Sequence, residues 1–327
     1  MTPLTYPEAA IIGLLQGVTE LFPVSSLGHS VLLPAIIGGQ WARDLSVSAK
    51  ESPYLAFIVG LHVATALALM IYFWREWVRI IGGFFSSIRD RRIATADQRL
   101  AWMIILATIP VGVAGLLLEH SFRVLLGKPI PASVFLTVNG LILFAGERLR
   151  RKASRRADEE VAAELAEAQL VEVGRPGRHA AGNRGLRQQE AALDLASDRR
   201  LADMGYGQAV IIGSAQVLAL AAGISRSGVT MVAGLLRGLS HEDAARFAFL
   251  LATPVILAAG ALKIGDLTGP LGKGIHGQIL VGSLLSGVGA YLSVRFLTRY
   301  FQTRTLTPFA IYCMVAGVGS FIYLTAT

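Results

Sequence analysis

The only cysteine, Cys313, has no partner in this chain, so no internal disulfide can brace the fold, and no Cys/His grouping has zinc spacing. Charge is scarce too: Asp, Glu, Lys and Arg make up 16% of the residues and aromatics 8%, against 53% hydrophobic residues. That balance excludes a soluble domain, whose surface must be clothed in charge. No basic segment precedes the first apolar run, which itself carries Glu8, Gln16 and Glu20. A cleavable signal peptide is therefore not expected, and the first hydrophobic element should remain as working structure.

What the chain has in abundance is apolar sequence of membrane-crossing length. Segments near 53–74, 100–118, 130–147, 245–264, 277–294 and 305–325 each approach the roughly 20 residues that span a bilayer core. Two further stretches, 7–39 and 207–236, are interrupted by Gly, Pro and polar side chains, as discontinuous re-entrant elements are. The expected fold is an all-α polytopic membrane protein with about six transmembrane helices and two re-entrant helical hairpins.

These elements fall into two sets. Residues 13–30 and 213–230 align at a fixed offset of 200, which matches Gly13 with Gly213, Gln16 with Gln216, Ser25 with Ser225 and Gly28 with Gly228. Each copy is followed by three spans, and an odd number inverts the second copy relative to the first. The expected organisation is a first repeat at 1–148, a charged cytoplasmic insert at 149–206 and a second, inverted-topology repeat at 207–327. Within the insert, Ala157 to Glu172 has helical periodicity, the run from Gly174 to Gly185 breaks it, and a second charged, helix-prone stretch follows. His179 is isolated there, and no metal role is expected of it.

The net charge of +8 reads as topology rather than as affinity for nucleic acid. Connections near 75–99, 148–206, 237–246 and 295–304, which share a side in this organisation, hold 23 of the 30 Lys and Arg. The positive-inside rule makes that side cytoplasmic and leaves both termini outside.

Arg226 is the costliest residue, alone among apolar, small and hydroxylic neighbours from Leu218 to Leu236. A guanidinium at membrane depth requires an anionic partner. One acidic residue would serve, but Ser225 and Ser227, with Gly223 and Gly228 freeing backbone amides, suit a phosphate better. The first broken element gathers Gln16, Glu20, Ser25, Ser26 and His29 within fourteen residues. Gln16 and Glu20 share a helix face, and Pro23 ends that helix so that Val24 to Gly28 can turn back. Together they supply a metal ligand or base, a nucleophile and a proton carrier. A divalent cation, Mg2+ or Ca2+, suits Glu20 with Gln16 as a neutral oxygen donor. Either Ser26 or His29 could attack phosphorus, or His29 could activate Ser26 or a water, and spacing does not choose.

The sequences G-L-L-Q-G-V-T-E-L-F-P-V-S-S-L-G-H at 13–29 and A-G-I-S-R-S-G-V-T at 222–230 resemble the two signature motifs of the undecaprenyl-pyrophosphate phosphatase family, the bacitracin-resistance type. The likeness extends over nearly the whole chain, including R-F-A-F-L-L-A-T-P-V-I-L-A-A-G at 246–260. It implies a multi-pass enzyme of the bacterial cytoplasmic membrane. Such an enzyme hydrolyses undecaprenyl pyrophosphate to undecaprenyl phosphate and phosphate at the outer, periplasmic face, recycling the lipid carrier for cell-wall synthesis. Carried over by position, the resemblance makes Gln16 and Glu20 the metal and phosphate-site pair. Ser26 and His29 become the catalytic candidates beside Glu20 and Arg226, and Ser25, Ser225, Arg226, Ser227 and Thr230 hold phosphate. Two positions depart from the pattern: Gln16 takes the neutral option of an E/Q site, and Ala222 stands where the family motif has proline. The insert is also longer than is typical. Expected partners are the polyprenyl pyrophosphate and membrane lipids, with no nucleic acid and with a homo-oligomer left open.

Weaker signals surround this core. His62 lies in a span able to pack on the site, where it either tunes the cluster or bonds a backbone carbonyl. Asn139, Thr137 and Ser133 fit interhelical hydrogen bonding, and Trp74 and Trp77 beside Arg75 and Arg79 fit an interfacial anchor. The runner-up reading is a lipid-phosphate or anion transporter, since inverted repeats of broken helices also build carriers. The topology has a direct check. Cysteines introduced by Ser154→Cys and Ser197→Cys should stay shielded from an impermeant maleimide added on the periplasmic side, and labelling there would overturn the orientation.

Overall fold

Local signals fix where the helices start and stop in the computed structural model, which describes residues 4–45, 53–168, 197, 200–263, 265, 269 and 274–326. Helix α1 (Tyr6–Thr19) opens on a capping box, with Thr5 Oγ1 accepting from the Glu8 N–H and the Glu8 carboxylate accepting from the Thr5 N–H. After a turn through Pro23, α2 (Ser26–Ile37) and the short α3 (Gly39–Asp44) follow. Helix α4 (Pro53–Tyr72) gives way at Phe73 to α5 (Trp74–Arg89), bent 86° from it. Two long helices come next, α6 (Ala96–Leu126) and α7 (Pro129–Ala168). The second broken element is α8 (Tyr206–Ser214), its 3-10 continuation Ala215–Leu220, a turn, and α9 (Arg226–Leu236). Helices α10 (His241–Leu262), α11 (His276–Thr303) and α12 (Thr307–Ala326) complete an all-helical set among the described residues.

Among the described residues, five helices are long and apolar enough to cross a membrane: α6, α7, α10, α11 and α12. The bent pair α4 and α5 brings the number to six if it is one span. The expected class, an all-α polytopic membrane protein, is what forms.

Two boundaries differ from expectation. Residues 75–99 read as a connection because Arg75, Glu76 and Arg79 interrupt the hydropathy, yet most of that stretch is α5, amphipathic along its length. Helix α7 runs unbroken for 40 residues, so the span near 130–147 continues into the helix expected from Ala157, which is present as far as Ala168. Its charged half contains Ala, Arg, Glu and Lys with no Gly or Pro after Gly146, and such residues continue a helix once it has started. The Gly174 to Gly185 run, His179 and the charged stretch after them lie outside the described residues.

The halves of the chain interdigitate. Helix α1 packs on α11, α8 on α6, α4 on α10 and α11, and α7 on α12. Each broken element therefore leans on a long helix from the other half. Small residues make the approach close: a β-carbon at Gly17 would stand 2.9 Å from Ser286 Cα and nearer still to its carbonyl oxygen. Gly17→Ala should push α1 off α11, costing about 1–3 kcal/mol. A melting curve in detergent would show a lowered Tm, whereas Gly82→Ala, where nothing lies within 4 Å, should leave it unchanged or slightly raised. Equal behaviour of the two variants would refute the tight interface.

Candidate active site

Glu20 stands at the C-cap of α1, buried, and collects donors from three parts of the fold. Gln16, one turn earlier on the same face, donates from Nε2 to Glu20 Oε2 at 2.8 Å. Ser26, the first residue of α2, donates its hydroxyl to the same oxygen at 2.5 Å. Arg226, the first residue of α9, pairs with Oε1. His62 on α4 brings Nε2 to 3.4 Å from Oε2 while its Nδ1 lies 2.9 Å from the Ile58 carbonyl oxygen, so it bonds a backbone carbonyl and also faces the carboxylate. The anion that the isolated guanidinium requires is thus present within the protein.

The two turns are built alike. Ser25 and Ser225 each cap the helix that follows, accepting from the N–H of Gly28 and Gly228, both at 3.2 Å. Ser25 does so from the left-handed region, at φ 70°, and Ser225 from extended backbone, at φ -84°. Because Ser26 and Arg226 are first residues, two helix amino ends converge on Glu20, and a helix amino end favours an anion. Asn139 of α7 joins the turns: its Nδ2 donates to the Pro23 carbonyl at 3.0 Å and its Oδ1 accepts from the Ser225 N–H at 2.9 Å. Sequence reading placed Asn139 only as a generic interhelical contact. It lies 116 residues from Pro23 and 86 from Ser225, so no local spacing connects it to either motif.

Other expected site residues stand apart from the carboxylate. His29 has Nδ1 at 2.8 Å from the Ser25 carbonyl oxygen and Nε2 at 2.7 Å from the Tyr312 hydroxyl, with its ring stacked on Tyr312. A carbonyl only accepts, so Nδ1 bears the proton and, in the neutral ring, Nε2 accepts from Tyr312. Thr230 returns its hydroxyl to the Arg226 carbonyl at 2.7 Å, and Ser227 Oγ lies 3.1 Å from Ser225 Oγ. The hydroxyls of Ser25, Ser225 and Thr230 therefore serve the backbone of the two turns here.

A cation would find limited but suitable donors. Gln16 Oε1 is buried with no hydrogen-bond partner among the described residues, and next to the Glu20 carboxylate it offers the oxygen ligands that Mg2+ and Ca2+ take. Among the described residues no group of three or more His, Cys, Asp or Glu comes together, so water and a bound phosphate would have to complete the shell. The constellation can hold an anion at two helix ends, neutralise it with a guanidinium and present a hydroxyl whose proton already points at a carboxylate.

A family model and named relatives match nearly the whole chain. The family model described as bacitracin resistance protein BacA matches residues 9–175 and 178–319. The chain is 62% identical over 321 residues to an undecaprenyl-diphosphatase of Mycolicibacterium paratuberculosis, covering 98% of each. It is 56% identical over 333 residues to undecaprenyl-diphosphatase 2 of Frankia alni, covering 97% of each. With undecaprenyl-diphosphatase 2 of Chromobacterium violaceum it shares 37% identity over 320 residues, 97% of this chain and 98% of the relative. Both signature turns fall inside the matched residues, and the chain belongs to the bacitracin resistance protein BacA family.

Proposed function

We propose that this protein is an undecaprenyl-diphosphatase, an integral-membrane hydrolase that converts undecaprenyl pyrophosphate to undecaprenyl phosphate and phosphate. The observation that carries the reading is the Ser26 hydroxyl bonded to Glu20 while Arg226 grips the same carboxylate at two converging helix ends. The names of the relatives point the same way. An anion carrier would need neither the hydroxyl nor the carboxylate.

In the proposed reaction, the terminal phosphate of the substrate takes over Arg226 from Glu20. Ser26 Oγ then attacks phosphorus and passes its proton to Glu20. The new Oγ–P bond replaces the bridging P–O bond, undecaprenyl phosphate leaves, and water hydrolyses the phosphoserine to free phosphate and the serine. Arg226 and the helix ends stabilise charge that develops on the transferred group. A divalent cation held by Glu20 and Gln16 Oε1 would supply further charge neutralisation. Ser225, Ser227 and Thr230 shape the turn that presents Arg226, and Ser25 shapes the turn that presents Ser26. Geometry favours Glu20 over His29 as the base, because Glu20 already accepts the Ser26 proton.

The same proposal includes the architecture. The broken elements are re-entrant hairpins of an inverted repeat, 1–148 and 207–327, with the site open to the periplasmic side, the insert inside and both termini outside. Support comes from the paired serine caps, the crossed packing of α1 on α11 and α8 on α6, and the uneven distribution of Lys and Arg.

Purified protein should release phosphate from a polyprenyl pyrophosphate, lose that activity in EDTA and regain it with Mg2+ or Ca2+. No release under any condition sinks the assignment, and release indifferent to EDTA removes the cation. Ser26→Ala should abolish turnover with substrate binding retained, and His29→Ala should keep a residual rate. A rapid-quench phosphoenzyme that is acid-labile and alkali-stable, with an active Ser26→Ala variant, would assign the attack to His29 instead. Arg226→Lys should lose on the order of 10²-fold in rate, since a point charge cannot reproduce the guanidinium fork on phosphate. Wild-type turnover in that variant would reduce Arg226 to a structural partner of Glu20.

A further inference from the structure

Helix α5 divides its surface into three strips. Glu76, Ile80, Gly83 and Ser87 recur at helical spacing on the buried side, where Ser87 Oγ accepts from Trp102 Nε1 of α6 at 3.0 Å and Gly83 sits against the Asp97 backbone. Trp74, Val78, Ile81, Phe85 and Ile88 recur at the same spacing on a second strip, each between 47% and 64% exposed. Arg75, Arg79, Gly82, Ser86 and Arg89 fill the third. At 3.6 residues per turn the three strips stand about a third of a turn apart.

Each strip demands a different medium. Protein covers the first. Five large apolar side chains in a row are too costly for water, while arginines and a serine are out of place among acyl chains. Only the boundary between headgroups and acyl chains satisfies both neighbours at once. The 86° turn between α4 and α5 fits this: α4 has 20 residues and is apolar, the length that crosses a bilayer core, and a helix leaving such a neighbour at a right angle runs along the bilayer surface. Exposed Arg91 and Arg92 extend the cationic strip past the end of the helix. Arg79 is 3.6 Å from Asp97 and Arg89 is 2.9 Å from Asp90, and the latter pair is exposed enough to exchange for another anion.

We propose that α5 is a membrane-surface helix: its apolar strip lies among the acyl chains of the leaflet next to the end of α4, and its arginine strip binds the phosphates of anionic phospholipid. The partner is the lipid surface itself, selected by charge complementarity and by a strip whose width suits partial immersion.

The test uses the full chain in phosphatidylcholine nanodiscs with and without phosphatidylglycerol. Cys313 is fully buried and stays in place. Spin labels on Val78→Cys, Phe85→Cys and Ile88→Cys, one at a time, should report a common depth just below the phosphates, with Ser86→Cys open to an aqueous relaxing agent. A depth that changes steadily from position 78 to 88 would make α5 the second half of a bent span. Aqueous exposure at all four positions would make the strip a protein-docking face. Either result overturns the proposal. The combined variant Arg75→Gln, Arg89→Gln and Arg92→Gln should retain less phosphatidylglycerol on purification, by about fivefold per arginine. Its turnover in detergent should match wild type, since these residues lie outside the Glu20 cluster, and that activity certifies the fold. Unchanged phosphatidylglycerol retention in the active variant would refute the headgroup contact.

Discussion

A single carboxylate meeting a single guanidinium holds the centre of this protein together. Glu20 and Arg226 come from opposite halves of the chain, and each would be a costly charge in a membrane interior without the other. Their pairing draws the end of α1 and the starts of α2 and α9 to one point, and the remaining polar contacts arrange themselves around it. Gln16, Ser26 and His62 complete the acceptor capacity of Glu20, and Asn139 fixes the backbones that carry Ser26 and Arg226. Because the guanidinium is only loosely enclosed, at 20% side-chain exposure against 4% for the carboxylate, it is the partner better placed to turn toward an arriving phosphate.

The two turns show how a similar local device yields different outcomes. Serine caps the next helix in both, yet the residue that follows is a hydroxyl in one and a guanidinium in the other. One turn thereby presents a hydroxyl to the carboxylate and the other a charge. The difference in backbone, left-handed at Ser25 and extended at Ser225, accompanies this division of labour. Close contact between the turns depends on their glycines, since a β-carbon at Gly28 would stand 2.9 Å from Gly223 Cα.

Much of the fold was legible because crossing a bilayer imposes a length and an apolarity that hydropathy reads directly. The broken stretches were legible for the same reason, their interruptions standing out against apolar surroundings. Helix α5 was missed because its exposed apolar residues occupy one strip and its arginines depress any window average. At the site, the pairing of Gln16 with Glu20 follows from helical spacing, and the need of Arg226 for an anion follows from its surroundings. Which anion answers that need in the free protein does not follow, since Glu20 lies 206 residues away. The direction of His29 was equally hidden: its ring turns to Tyr312, 283 residues along the chain, and only packing of α2 beside α12 determines that.

Helix α7 has a mechanical consequence. Asn139 occupies its membrane half and Ala168 its far charged end, with neither proline nor glycine between Gly146 and Ala168. A helix free of both residues has few places at which a tilt can be absorbed, and the 22 residues from Gly146 to Ala168 at 1.5 Å each make an arm of roughly 33 Å. Whatever steadies or displaces the charged end is therefore carried along a stiff arm as far as Gly146, about two helical turns from the asparagine that keeps the two serine-capped turns in register.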